Sequence, residues 1–254
     1  MPASCRLLPV STHPRLYGEL AEWFHLLTAP EDYEEEAAFY RQLMVETADV
    51  PVRDVLELGS GGGNNASHLK AHFTMTLTDL SEEMLEVSRG LNPECEHLVG
   101  DMRDLRLGRT FDAVFVHDAV AYLTTEEDLG RAIETAYAHC RIGGVALFCP
   151  DGVREDFSPS TRHGGHDRGG RALRYLEWEW DPDPSDTTCV ADFAIMLRDE
   201  DGSVRLEYDR HEFGLFPTAT WLRLMTKAGF DARAIPFEHS DVESAGIVIA
   251  GVRR

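Results

Sequence analysis

Four glycines fall within five positions, Gly59-Ser60-Gly61-Gly62-Gly63, directly after the apolar run Val55-Leu56-Glu57-Leu58. Glycine costs conformational entropy on folding, so such a cluster needs a reason: a turn with positive φ, or a neighbour too close for a side chain. Between a strand and a helix, a turn of this kind exposes bare main chain at the carboxyl edge of a sheet. That edge, at the switch point, is where open α/β sheets bind ligands.

The flanking pattern agrees. From residue 52 to about 150 the chain alternates strand and helix. Arg53–Leu58 is a short apolar strand, and residues 65–73 read as helix. Thr74–Asp79 is the second strand. Ser81 can cap the helix Glu82–Leu91, with two acids in its first turn. Glu96–Gly100 and Phe111–Ala119 are strands three and four. Thr124 with Glu127 makes a capping box for a helix running to about Cys140, stopped by Gly143 and Gly144. Val145–Cys149 is strand five. Strands separated by helices of this length predict an α/β fold, a doubly wound Rossmann-like parallel sheet. After Pro217, a helix over 218–230 and strands at 231–237 and 246–252 complete seven strands.

Two segments stand outside this alternation. In the N-terminal helical segment, residues 1–50, Leu16, Leu20, Trp23, Phe24 and Leu27 share one helical face, Pro30 interrupts, and helix resumes from Glu31. After strand five, residues 151–171 are rich in Gly, Asp and Arg and read as loop. Period-two runs at 172–180, 188–198 and 203–213 then predict an antiparallel insertion, with a turn at Asp199–Gly202. In the third run Val204, Leu206 and Tyr208 face one way. Trp178 and Trp180 share a face with Leu176, a pattern commoner in sheet core than in a substrate platform. The whole of 1–254 reads as one domain: helices or lid at 1–50, a ligand-binding core at 52–150, the insertion at 151–215, and the last helix and strands at 216–254.

Composition narrows the partners. With 45 acidic against 24 basic residues the formal charge is −21. Nucleic acid and an anionic membrane surface both require a basic footprint, so neither is expected. No apolar run approaches the roughly 18 residues of a span, and no secretory signal is read at the start. The five cysteines are widely spaced with no C-x-x-C pair, which fits reduced thiols in a cytoplasmic protein. His163 and His166 lie three apart in a glycine loop without a third ligand type nearby, so no metal is expected.

The chemistry-bearing residues cluster on the strand ends. The dinucleotide pattern G-x-G-x-x-G places a third glycine where this chain has Asn64. Asp79 ends strand two, 20 positions after Gly59, where a carboxylate can accept both hydroxyls of a ribose. Asp101 and Met102 follow strand three, where a carboxylate can take an adenine amino group. Leu80 and Met84 are apolar groups for an adenine face. Glu57, at the end of strand one, can meet an ammonium. Adenine, ribose and an amino acid without phosphate describe S-adenosylmethionine.

The stretches "VLELGSGGG", "LTDLSEEML", "GDMRDLRLGRTFDAVFVHDAVAYL" and "RIGGVALF" resemble the class I S-adenosylmethionine-dependent methyltransferases. Within that superfamily "DYEEEA", "GDMRDLRLGR" and the Tyr122-Leu123 pair resemble the N,N-dimethyltransferases of nucleotide-linked amino sugars. The resemblance implies that Gly59, Ser60 and Gly61 touch the methionine part of the cofactor, Asp79 holds the ribose, and Asp101 and Met102 recognise adenine. It places His117 beside the cofactor and matches Tyr17 and Tyr33 to aromatics that close over it.

The function expected is methyl transfer to a small molecule, on nitrogen or oxygen. His117 (with Asp118) and His166 (with His163 and Asp167) are candidates for a catalytic base. The alternatives are an NAD(P)-dependent oxidoreductase and a non-catalytic S-adenosylmethionine-binding protein. The insertion hairpins could cover the pocket or join two subunits of a homodimer.

Overall fold

The computed structural model describes residues 14–237 and 246–254. Residues 1–13 of the expected N-terminal helical segment, Cys5 among them, lie outside these. Two sheets organise the chain. The larger has seven strands: β1 (Asp54–Leu58), β2 (Thr74–Asp79), β3 (Glu96–Val99), β4 (Phe111–His117), β5 (Cys140–Cys149), β11 (Phe230–Phe237) and β12 (Gly246–Arg253), in the order β11-β12-β5-β4-β1-β2-β3. β1 to β5 pair in parallel, and β12 runs antiparallel between β5 and β11.

Both faces of this sheet are covered, which is why its central strands are almost continuously apolar. Leu56, Leu58, Val114, Val116, Ala146 and Phe148 pack against α5 (Glu126–His139) and α6 (Thr218–Ala228). Val55, Ala113, Phe115, Val145 and Leu147 pack against α2 (Glu34–Thr47) and α3 (Asn64–Leu69). The period-two alternation therefore sends Glu57 and His117 to the α2 side, with Val55 and Phe115. α4 (Glu82–Leu91) follows β2, capped by Ser81, whose Oγ accepts from the Met84 N–H at 3.1 Å.

The structure corrects several boundaries. Thr125, not Thr124, caps α5, its Oγ1 accepting from Asp128 N–H. Gly143 and Gly144 do not stop that helix, which ends at His139. They lie inside β5, where the ladder advances from Phe111↔Cys140 to Ala113↔Val145, two residues on β4 against five on β5. Gly143, at φ 77°, lets the strand bulge there.

The N-terminal face is not one helix. Gly18, at φ −128° and ψ −97°, leaves helical geometry, and the chain runs as 3₁₀ turns at 15–17 and 21–23 and a four-residue α1 (Phe24–Leu27). This rotation buries Leu16, Leu20, Trp23 and Leu26 and leaves Phe24 and Leu27 half-buried.

Those residues pack on the second sheet, with order β10-β9-β8-β6: β6 (Ser160–Gly164), β8 (Arg171–Trp180), β9 (Thr188–Arg198) and β10 (Val204–Gly214), with β7 (Asp167–Arg168) pairing β8. The insertion thus forms its own sheet, and the expected loop at 151–171 holds β6 and β7. β6 is an edge strand exposed on both faces, so no apolar alternation marks it. The inner face, Leu173, Ala191, Phe193, Ile195 and Leu197, receives the N-terminal segment. Leu176, Trp178, Met196, Val204, Leu206 and Tyr208 are exposed on the other face. Trp178 and Trp180 stack at 5.7 Å on that face and are not core, because the opposite alternation fills the inside.

Candidate active site

The glycine turn joins β1 to α3 and is held by its own main chain. The N–H groups of Gly59 and Ser60 both donate to the Thr78 carbonyl on β2, at 2.8 and 2.9 Å. Gly59 and Gly61 have φ of 73° and 53°, which side chains rarely adopt. The protein itself fills the other space. A Cβ on Gly62 would lie 2.5 Å from the Phe24 ring, and one on Gly63 would lie 2.3 Å from Asn92 Nδ2 and Ser88 Oγ. On Gly61 the nearest atom, the Met84 methyl, would be 3.7 Å away, an ordinary contact, so there the positive φ rather than crowding is what calls for glycine. The glycines thus answer two demands, backbone twist and packing beneath the N-terminal segment. His25 Nε2 donates to the Gly62 carbonyl at 3.1 Å, and Ser81 Oγ donates to the Tyr17 carbonyl at 2.6 Å.

Asp79 clamps the two crossovers together. Its Oδ2 accepts from Gly61 N–H and its Oδ1 from Ser81 N–H, both at 2.8 Å. Burial raises its pKa, and these N–H groups oppose the shift. Leu80 beside it is exposed, whereas Met84 is fully buried, its methyl beneath Gly61. Asp101 lies at the end of β3 with Arg103 folded onto it, through Nε and Nη2 and the Arg103 N–H. The guanidinium holds that carboxyl below its usual range. Met102 packs on the core under Gly59.

A second group gathers where β4 and β5 end. His117, its side chain 12% exposed, sits between Glu36 on α2 (3.3 Å) and Asp118 (3.2 Å). Burial opposes its protonation, but the two carboxylates outweigh it and raise its pKa well above the ordinary value. As an imidazolium it has no lone pair to act as a base. Asp118 is the one non-glycine residue with positive φ (31°) among the described residues, a strained position at the mouth of a strand.

Desolvation and the Asp118 charge both raise Asp151, and His117 lowers Asp118 against desolvation. Asp118 is 46% exposed, so water offsets its desolvation and the neighbouring charge of His117 dominates. Tyr33 and Tyr40 lie 6.1 and 5.4 Å from His117, ring centre to ring centre. Tyr17 is half-buried nearby, within the fields of Asp151, Asp118 and Asp79.

His166 is not part of this group. Its Nε2 pairs with Asp32 at 3.0 Å, and its N–H donates to Leu26, tying the insertion to the N-terminal segment. Glu36 escaped the sequence reading because three glutamates in a row look like a solvated first turn. Its signal is the 3.6 period that puts it one turn before the buried Tyr40. Among the described residues no three His, Cys, Asp or Glu side chains converge as metal ligands. No helix in the described residues is long and apolar enough to cross a membrane.

The Glu57 carboxyl is 3% exposed, and burial pushes its pKa up to about 8. Its Oε2 and the Ser60 Oγ are buried without a partner in the structure. A buried acid with a free oxygen has the chemistry to meet an ammonium, and it sits one loop from the Asp79 carboxylate. These residues fit the amino-acid and ribose ends of a nucleoside-linked amino acid.

A family described as a methyltransferase domain matches residues 55–144, from β1 to the bulge of β5. The chain is an S-adenosylmethionine-dependent methyltransferase. This methyltransferase is 28% identical over 224 residues to the dTDP-3-amino-3,6-dideoxy-alpha-D-glucopyranose N,N-dimethyltransferase of Streptomyces fradiae, covering 86% of each chain. It is 36% identical over 129 residues to the dTDP-3-amino-3,4,6-trideoxy-alpha-D-glucopyranose N,N-dimethyltransferase of Streptomyces venezuelae, covering 50% of this chain and 54% of that one. The match thus spans about half of that second relative. The crystal structure of Streptomyces venezuelae DesVI superposes with a TM-score of 0.79 at 27% identity, covering 94% of the methyltransferase and 98% of that chain. Neither the oxidoreductase nor the non-catalytic alternative is favoured by these likenesses.

Proposed function

We propose that this methyltransferase methylates the amino nitrogen of a nucleotide-linked amino sugar. The observation that carries the reading is the likeness over 224 residues to a protein named for that reaction. The cleft supports it. Glu36, Asp118 and Asp151 surround a single cation, His117. Three carboxyls against one imidazolium leave the group net negative. An amine turns cationic as its lone pair forms a bond to carbon, and a negative wall favours that change. A phenol, which starts neutral or anionic, gains nothing from it.

In this reading Glu57 takes the ammonium of the cofactor. The main chain of Gly59, Ser60 and Gly61 lies along its methionine part, and Asp79 accepts from the ribose hydroxyls. Leu80 covers adenine, and Met84 supports the turn from below. Asp101 and Met102 sit at the adenine end, where Arg103 must yield a carboxylate oxygen for the exocyclic amine. Tyr17 and Tyr33 close over the site. When bound, S-adenosylmethionine supplies a methyl group on a sulfonium, a good leaving group. The chain's own task is to hold the amine in line and keep water out. His117 serves as a fixed cation that orients Asp118 and Glu36. His166, engaged by Asp32, has no part in the reaction.

Incubation with S-adenosylmethionine and a nucleotide-linked amino sugar should add one or two methyl groups to the sugar nitrogen, read by mass spectrometry of the product. Transfer to phenols but not to amines would refute the reading.

For a homodimer, the apolar outer face of the second sheet is the surface we assign, since contiguous exposed apolar patches mark association sites. Equilibrium sedimentation should give a dimer that Leu206→Glu splits. A monomer at every concentration would remove the assignment.

A further inference from the structure

Three elements meet around a chain of polar side chains that runs from the half-buried Tyr17 and Tyr122 to the buried His211 and Asp209. The Tyr17 hydroxyl, from the first N-terminal turn, lies 2.9 Å from the Tyr122 hydroxyl, which follows β4. Tyr122 lies 2.7 Å from His211 Nδ1 on β10. His211 Nε2 lies 3.1 Å from Asp209 Oδ2, and both residues are 2% exposed. Asp209 is fixed by two further donors, Leu16 N–H at 2.9 Å and Arg210 N–H at 3.1 Å. Phe193 and Phe213 close the sides of the imidazole.

The donor count fixes the direction. A carboxylate only accepts, so His211 Nε2 must carry the hydrogen that faces Asp209. In neutral His211 the Nδ1 lone pair then accepts from Tyr122, and the Tyr122 oxygen accepts from Tyr17. The Tyr17 oxygen is left with lone pairs for the cleft. In cationic His211 every bond reverses: Nδ1–H donates to Tyr122, Tyr122 donates to Tyr17, and the Tyr17 hydrogen is free to point outward. The charges that face this chain are Asp209 at its buried end and Asp118, Asp151 and Asp79 around Tyr17. Arg15 and Glu207, on the same two elements, pair with each other. Burial raises the pKa of both tyrosines, so both remain hydroxyls.

We propose that Tyr17, Tyr122 and His211 form a proton wire that carries the proton released by the methylated amine inward to the His211–Asp209 pair. The step balances. The N–H bond of the methylated ammonium breaks, its electron pair stays on nitrogen, and the proton goes to the Tyr17 oxygen. The Tyr17 hydrogen passes to Tyr122, and the Tyr122 hydrogen passes to Nδ1, leaving an imidazolium against a carboxylate. A second methylation at the same nitrogen needs that lone pair back, so the wire matters most between the two transfers. Tyr17 touches the acceptor, while Tyr122 and His211 act through it and are positioning residues. The proposal rests on the reading of an amine acceptor given above.

Two measurements test it. Imidazole ¹⁵N NMR of the ligand-free protein should show His211 with Nε2 protonated and Nδ1 hydrogen-bonded at neutral pH, the Nδ1 signal shifting in Tyr122→Phe. A neutral Nδ1–H tautomer overturns the wire whatever the activity. In turnover, Tyr122→Phe and His211→Gln should each lower kcat at least tenfold at neutral pH with KM unchanged and the variants still folded at the assay temperature by circular dichroism, and the deficit should shrink as pH rises. Glutamine keeps both hydrogen bonds but cannot take up a proton, so a His211→Gln enzyme within twofold of the parent refutes the proposal. A parent enzyme that methylates no amine refutes the acceptor reading and removes the proton source, and the tautomer result still tells the two failures apart.

Discussion

Asp79→Ala should weaken S-adenosylhomocysteine binding at least a hundredfold, about 2.7 kcal/mol, by titration calorimetry. The size follows from what the carboxylate does. It accepts from Gly61 N–H and Ser81 N–H at 2.8 Å each, so its loss leaves two main-chain donors without their acceptor and frees the turn from the next crossover. Each such loss costs on the order of 1–3 kcal/mol. In the proposed site the same oxygens also accept from the ribose. Asp79→Asn keeps the shape and one acceptor, and should fall between. The melting temperature of the ligand-free variants separates the two contributions. A ribose contact alone would leave it unchanged, whereas the clamp lowers it. Affinity within threefold of the parent would remove Asp79 from the site.

The second large effect concerns Glu57 and pH. Its carboxyl is raised by burial to about 8 from an ordinary value of 4.5. Between those values the folded protein holds a proton that the unfolded chain releases. Folding therefore binds protons, and stability falls as pH rises from about 4.5 to about 8. The full shift corresponds to at most about 5 kcal/mol, less to the extent that water reaches the carboxyl. Glu57→Gln removes this dependence, so at pH 8 the ligand-free variant should resist urea better than the parent. The same change should weaken S-adenosylhomocysteine at least tenfold, about 1.4 kcal/mol, because the ammonium loses its counter-charge. A parent whose stability is flat between pH 5 and 8 would show that Glu57 is not held as an acid. Equal affinities would show that no ammonium meets it. Stability gained where binding is lost marks a group kept for function.

Much of the architecture was legible because the parallel core follows rules that act locally. β1, the glycine turn and β2 are read from apolar runs and glycines, and the structure places them within a residue, while α3, expected over 65–73, ends at Leu69. The N-terminal face was misread because its spacing fits a helix while Gly18 breaks one, and sequence period alone does not register a single residue's φ and ψ. β6 was missed because an edge strand exposed on both sides has no apolar face to announce it. Alternation tells that the two faces of β8 differ, not which one is covered, so it suggests core for tryptophans that the structure leaves on the outer face.

At the site, Glu57 and Asp79 stood out at strand ends beside the glycines. Asp209 and His211 did not, and Tyr122 entered only through a family resemblance, since the three are brought together from positions 87 to 89 residues apart in the chain. Only the packing of β10 against the turn after β4 makes them one group. Asp101 was expected to be free for a ligand, and its engagement by Arg103 follows from a neighbour two residues on that the strand pattern did not weigh.

The account turns on a phosphate-free nucleoside lying against the turn between β1 and α3. A crystal structure of the protein with S-adenosylhomocysteine measures that directly. It should show the ammonium at Glu57 Oε2, both ribose hydroxyls on Asp79, and the main chain of Gly61 against the ligand. A nucleoside bound elsewhere, or a pyrophosphate seated on the glycines, would contradict it.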